Sequence, residues 1–219
     1  MSDGAGSRAR LRLFRSPALP PPRLRRLTQL YVGLLAYGLG LALVVAADLG
    51  AAPWDVLHQG LTHQFGLTIG IWNVLVAIVL MTLWVPLRQR AGIGTLTNAL
   101  LVGVFFDLAL WVLPEVDGLV LRWVWLVTGI LVVGLATGCY IGAQLGPGPR
   151  DGIMTGLVDL GLSVRMARTG LEALVVTVGF LLGGTVGLGT LLFALLIGQV
   201  AHVFLPLLTI AEHHRGDVT

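Results

Sequence analysis

Several things are scarce in this 219-residue chain, and each scarcity closes off a class of protein. Only 11% of residues are charged while 56% are hydrophobic, so there is too little polar surface to face water. Lysine is absent: all 14 basic residues are Arg, which removes the Lys that a phosphate-cradling P-loop needs. A single cysteine, Cys139, excludes an intrachain disulfide and a thiolate metal cluster. No HExxH, GxSxG or Cys/His ligand pattern is present, and His58 and His63, five apart, do not share a helix face. An enzyme and a cofactor are therefore not expected. What remains is a chain with mean hydropathy +0.88 and several apolar runs near the roughly 20 residues that cross a bilayer. The composition specifies an integral membrane protein.

The chain is written twice. LGAAPWDVLHQGL (49–61) returns as LGPGPRDGIMTGL (145–157), with Asp55 and Asp151 96 positions apart (151 − 55). After a one-residue slip, GIGTLTNALLVG (92–103) returns as GLGTLLFALLIG (187–198), 95 positions on (187 − 92). A functional site is expected where the two copies meet.

Residues 1–26 hold seven Arg and a proline cluster and read as a disordered cytoplasmic tail lying against anionic lipid, not as a nucleic-acid-binding arm. That stretch is too extended, and the apolar run after it too long, for a secretory leader. A single transmembrane domain is expected over 27–210, with repeat 1 at about 27–114 and repeat 2 at about 119–210. Residues 211–219, with His213, His214 and Arg215, form a second cytoplasmic tail. Spans are expected at about 27–47, 69–87, 93–113, 119–145, 168–182 and 188–210. Two helices too short to cross, 53–64 and 150–160, complete an all-α fold of six transmembrane helices.

If the Arg-rich start is cytoplasmic, six spans put Arg88, Arg90, Arg150, Arg165, Arg168 and Arg215 on that side too, leaving only Arg122 outside. Three spans per copy is an odd number, so the copies are two inverted three-helix repeats. The short helices are re-entrant in one reading and lie flat at the interface in the other.

Both short helices carry a polar stripe: Asp55, Gln59 and His63 in the first, Asp151, Thr155 and Asp159 in the second. The two Asp are either helix-start residues or paired cation or proton sites. Asp107, Glu172 and His202 lie inside spans, where charge is costly and marks a pathway by default; the alternative is a polar contact between helices. Asn73, Asn98 and Arg168 are second-tier candidates. The GxGT turns read as packing and capping devices.

LGAAPWD, GIGT with Asn98 and Asp107, and LGPGPRD with GLGT together resemble the YczE/YyaS/YitT-type bacterial integral membrane proteins over about 27–208. The resemblance implies a multi-span protein of the bacterial inner membrane, and no binding residue is carried over from it. The expected function is a transporter or channel-like carrier of a small solute or ion, with a homo-oligomer open. The expectation from another class is a non-transporting accessory protein that binds or regulates a partner. Convergence of Asp107, Glu172 and the two stripes on one water-filled cavity is what separates them.

Overall fold

The computed structural model describes residues 20–210; the Arg-rich stretch before Pro20 and the tail with His213, His214 and Arg215 lie outside the described residues. Among those residues the elements are α1 (Arg23–Ala46), α2 (Pro53–Phe65), α3 (Ile69–Leu83), α4 (Ile93–Val112), α5 (Leu119–Gly142), α6 (Pro149–Asp159), α7 (Val164–Leu181) and α8 (Leu188–Leu208). Local chemistry sets these limits. Pro53 and Pro149 occupy the first turns of α2 and α6, where a missing N–H costs nothing. Thr68 and Ser163, equivalent in the two copies, cap α3 and α7 by accepting from Ile71 N–H and Met166 N–H. Thr95 and Thr190 reach back to accept from Gly92 N–H and Gly187 N–H at the starts of α4 and α8, the capping role expected of the GxGT turns.

By length and composition α1, α4, α5 and α8, at 20 to 24 residues, can each cross a membrane. The expected second span is shorter than read: α3 stops at Leu83, because Pro86 has no N–H to continue the ladder and residues 84–88 turn instead. Its 15 residues rise only about 22 Å. A bend of 110° separates α3 from α2, and counting the pair as one broken span gives five. The fifth expected span, α7, carries Arg165, Arg168 and Glu172 in its first half and does not cross on composition alone. At the other end, α1 begins at Arg23, four residues before the expected boundary. Arg26, assigned to the tail from sequence, is completely buried and donates to the Ala143 carbonyl (3.0 Å) and Gln144 Oε1 (3.2 Å) at the end of α5.

Small residues let the long helices touch backbone to backbone. α1 and α5 run antiparallel, with Gly33 against Cys139 and Tyr140, and Gly40 against Gly129 and Val133. Leu30, Leu34, Leu41, Leu126, Ile130 and Val133 fill this seam. Gly38 admits Phe105 of α4, and its counterpart Gly134 admits Val200 of α8, the position equivalent to Phe105. Outward-facing Val104, Leu108, Leu131 and Leu195 remain exposed, an apolar belt suited to lipid.

The copies also exchange contacts. Leu49 C=O in copy one accepts from Gly189 N–H (2.7 Å) in copy two, and Leu145 C=O in copy two accepts from Gly94 N–H (2.8 Å) in copy one. Gly50 (φ 113°) and Gly146 (φ 125°) make the turns that present these carbonyls, in a conformation an L side chain rarely adopts. Each short helix packs on the other copy's third helix: Gly60 of α2 on Gly179 of α7, and Gly156 of α6 on Leu87 just beyond α3.

One correspondence fails. α3 lies along α4 with Gly70 and Gly103 in direct backbone contact, whereas α7 is not packed along α8. Gly198, the equivalent of Gly103, faces only the Arg168 guanidinium.

Candidate functional site

The exchange brings the N-termini of α2 and α6 together at the centre of the protein. The Arg150 guanidinium of α6 lies 5.0 Å from the centroid of the Trp54 ring of α2. Trp54 and Arg150 are the same repeat position, 96 apart (150 − 54). Arg150 has no hydrogen-bond or ion-pair partner among the described residues, so its donors are unspent apart from the aromatic face.

Two cavities flank this meeting point and share Tyr37, Tyr140, Arg150 and Asp151 in their walls. The smaller, about 30 Å³, adds His58, Asn73 and Asn98 and an apolar side from α3 and α4; it exceeds the ~10–15 Å³ one water needs. The larger, about 120 Å³, lies in the gap between α7 and α8 and adds Trp54, Arg168, Glu172, Phe193, Ile197 and Gly198. Tyr37 and Tyr140 stand edge to face between them, centroids 5.7 Å apart.

The polar groups are tied in a definite order. Tyr140 OH donates to Asp151 Oδ2 at 2.7 Å, and Gly148 N–H donates to the same oxygen at 3.1 Å. Asp151 is thus a helix-start residue and a cavity residue at once. Asp55 does not cap α2; its Oδ1 takes the His58 Nδ1 at 3.1 Å. Both side chains are fully buried, and Asp55 Oδ2 and His58 Nε2 are left without a partner. Buried polar atoms in that condition are costly unless something else occupies them. Arg168 Nε donates to Glu172 Oε1 at 2.9 Å, a neutral pair on the wall of the larger cavity.

The candidates from sequence therefore divide. Asp151, Glu172, Arg168, Asn73 and Asn98 line the cavities, and Asp55 reaches them through His58. Asp107 does not: it accepts from Gly70 N–H (2.8 Å) and from the Thr68 hydroxyl, holding the start of α3 against α4 as an interhelical polar contact. Gln59 binds Thr185 N–H, Asp159 accepts from Gln89, and Thr155 turns back to its own helix. His63 and His202 are exposed away from the centre. The polar stripes as such do not converge; only their first residues do.

Tyr37, Tyr140, His58 and Arg150 were not among the sequence candidates. The two tyrosines carried a signal, as phenols inside glycine-rich apolar runs whose OH needs a partner. His58 carried a weaker one, its i−3 spacing to Asp55. Chemically, the centre offers one uncommitted guanidinium, one imidazole nitrogen and two phenols beside two helix N-termini.

Residues 24–206 match a family of unknown function, DUF6198. A Haemophilus influenzae protein described only as uncharacterized is 40% identical over 185 residues, covering 84% of this chain and 85% of its own length. The uncharacterized membrane protein YczE of Bacillus subtilis is 33% identical, covering 83% and 86%. The uncharacterized protein YyaS of the same organism is 30% identical, covering 84% and 96%. No solved structure matches.

Proposed function

The chain belongs to the DUF6198 family of membrane proteins, and from its central site we propose that it carries a small polar solute or ion across the bacterial inner membrane by alternating access. In this reading all six longer helices cross, α3 completed by the turn at 84–88 and α7 by turning its charges to the cavity. The copies are inverted, and both termini are cytoplasmic.

One observation carries the proposal: equivalent helices of the two copies occupy different positions. α3 closes on α4 through Gly70 and Gly103, while α7 stands off α8 and leaves the larger cavity between them. An inverted pair with one half closed and the other open is what a carrier occupies between cycles. The open gap borders the middle of α8 and the first half of α7, on the side where the end of α8 meets the end of α5 and Arg26 is anchored. With the Arg-rich start inside, that is the cytoplasmic side. The second state has α7 packed on α8 at Gly198 and α3 parted from α4.

The test uses the equivalent positions Glu172 and Ala77 (172 − 77 = 95). In a Cys139→Ser background, Glu172→Cys is expected to react with a membrane-impermeant thiol reagent from the cytoplasmic side, and Ala77→Cys to be shielded. A population of the second state exposes Ala77→Cys from the opposite side only. Labelling of both from one side, or of neither under any condition, would defeat alternating access and leave the accessory-protein reading.

A further inference from the structure

We propose that the space between the N-termini of α2 and α6 binds a small organic carboxylate, anchored by the Arg150 guanidinium and accompanied by a proton on His58 Nε2. The inference rests on the carrier reading and names its substrate class.

The contact for an anion is the Arg150 guanidinium. Each helix start carries the positive end of its dipole, and the second residues of the two helices, Trp54 and Arg150, meet there. Of the acids nearby, Glu172 is paired with Arg168 and Asp55 with His58, while the Asp151 carboxylate is oriented away by the Tyr140 hydroxyl and the Gly148 N–H, both neutral donors. Among the described residues Arg150 makes no hydrogen bond or ion pair, whereas Arg168, the other cavity cation, is held by Glu172. A planar guanidinium with unspent donors matches a carboxylate in a two-pronged geometry. Around it Trp54, Leu171, Phe193 and Ile197 give the larger cavity an apolar wall, which accommodates a short hydrocarbon body better than a hydrated inorganic ion.

His58 supplies the second, independent indication. It is wholly buried, lines the smaller cavity beside Arg150, and its Nε2 has no partner. A carboxylate can only accept, so ionised Asp55 keeps the ring proton on Nδ1. Nε2 is then a bare acceptor within the wall of the smaller cavity. Uptake of one proton from water turns it into a donor for the bound carboxylate and leaves Asp55 and imidazolium a neutral pair. The charged and titratable groups around it are Asp55 on its own helix, Arg150 and Asp151 from α6, Tyr37 from α1, Tyr140 from α5, and Arg168 and Glu172 from α7. Of these, His58 ordinarily titrates nearest neutrality; burial and the Arg150 charge push it lower and the Asp55 contact opposes them, so its protonation is expected together with binding of the anion and toward acid pH.

The probe is sodium butyrate on the purified full-length protein in detergent, followed by thermal stability and tryptophan fluorescence, with butyramide and sodium chloride as controls. Butyrate is expected to stabilise saturably, and the two controls not to. Arg150→Ala should weaken butyrate binding on the order of 10- to 100-fold, with Arg150→Lys between. Butyrate should bind more tightly as pH falls below neutrality, and His58→Gln should flatten that slope. Should Arg150→Ala not fold, Arg150→Lys and Trp54→Phe carry the comparison. Butyramide binding as well as butyrate, chloride matching it, or full affinity without the Arg150 guanidinium each overturns the proposal. Binding in detergent needs no transport. Butyrate binding without flux into proteoliposomes would defeat the carrier reading alone, and flux of another solute without butyrate binding would defeat this inference alone.

Discussion

Gly103→Ala and Gly198→Ala are the same substitution at equivalent positions, and they should have opposite effects. A Cβ on Gly103 would meet the Gly70 carbonyl oxygen at 2.3 Å, where ordinary contact begins at 3.4 Å. The obstacle is backbone, so α3 and α4 must part by about 1 Å, an overpacking that costs about 1–3 kcal/mol. Alanine returns about 1 kcal/mol of helix propensity, so the net loss is about 0–2 kcal/mol. A Cβ on Gly198 would meet only the Arg168 guanidinium, at 3.1 Å, and a flexible side-chain end can move aside. There the propensity gain survives, and the observed state should be about 1 kcal/mol more stable. Thermal denaturation followed by a thiol-reactive dye at Cys139 reads both signs. Labelling of Ala77→Cys adds the conformational readout: faster with Gly103→Ala, unchanged with Gly198→Ala. Equal destabilisation by the two would refute the claim that the copies occupy different states, since both glycines would then be packed alike.

Arg26→Ala removes three hydrogen bonds from a charged donor, one of them to the Pro21 carbonyl, and leaves the Ala143 carbonyl unpaired at the end of α5; a loss of about 2–4 kcal/mol is expected in detergent unfolding, and no loss would place Arg26 in water. Asp107→Ala frees Gly70 N–H and the Thr68 hydroxyl and should cost about 1–3 kcal/mol without altering butyrate affinity, which a binding isotherm checks. Tyr140→Phe deletes the bond to Asp151 but keeps the ring packed on Tyr37, so a stability change of about 1 kcal/mol should accompany a measurable change in butyrate binding. Gly146→Ala combines a positive φ with an approach of 2.7 Å to Thr95 Oγ1 and should lower the yield of folded protein more than Gly148→Ala, whose nearest neighbours stand at 3.0 Å or beyond.

The repeat was legible because it is written in glycine, proline and aspartate, residues whose spacing survives divergence of the apolar background. The limits of α2, α4 and α6 followed within a residue or so from Pro53, Gly92 and Pro149. The gap between α7 and α8 was not legible, since Gly103 and Gly198 read identically and only packing distinguishes the one that is covered. Asp107 was drawn into the pathway by the general cost of charge in a membrane. Three-dimensional placement gave it instead the start of α3, whose free N–H groups satisfy the same need. His58 was set aside on its spacing from His63, when the spacing that mattered ran back to Asp55. Arg150 was read only as one of the arginines on the cytoplasmic side, because a linear comparison of the copies cannot show that Trp54 and Arg150 meet.

That meeting bears on ancestry. A half-length chain assembling with an upturned copy of itself would place each residue of this position against its own twin: two tryptophans would bury no cation, and two arginines would repel. Fusion of the halves into one polypeptide lifts that restriction, since each side can then mutate alone. The Trp54–Arg150 pair, at 5.0 Å, is a contact that no homodimer of either half could make. One polypeptide carrying two diverged copies can therefore hold a single, unduplicated charge at the centre of an otherwise doubled molecule.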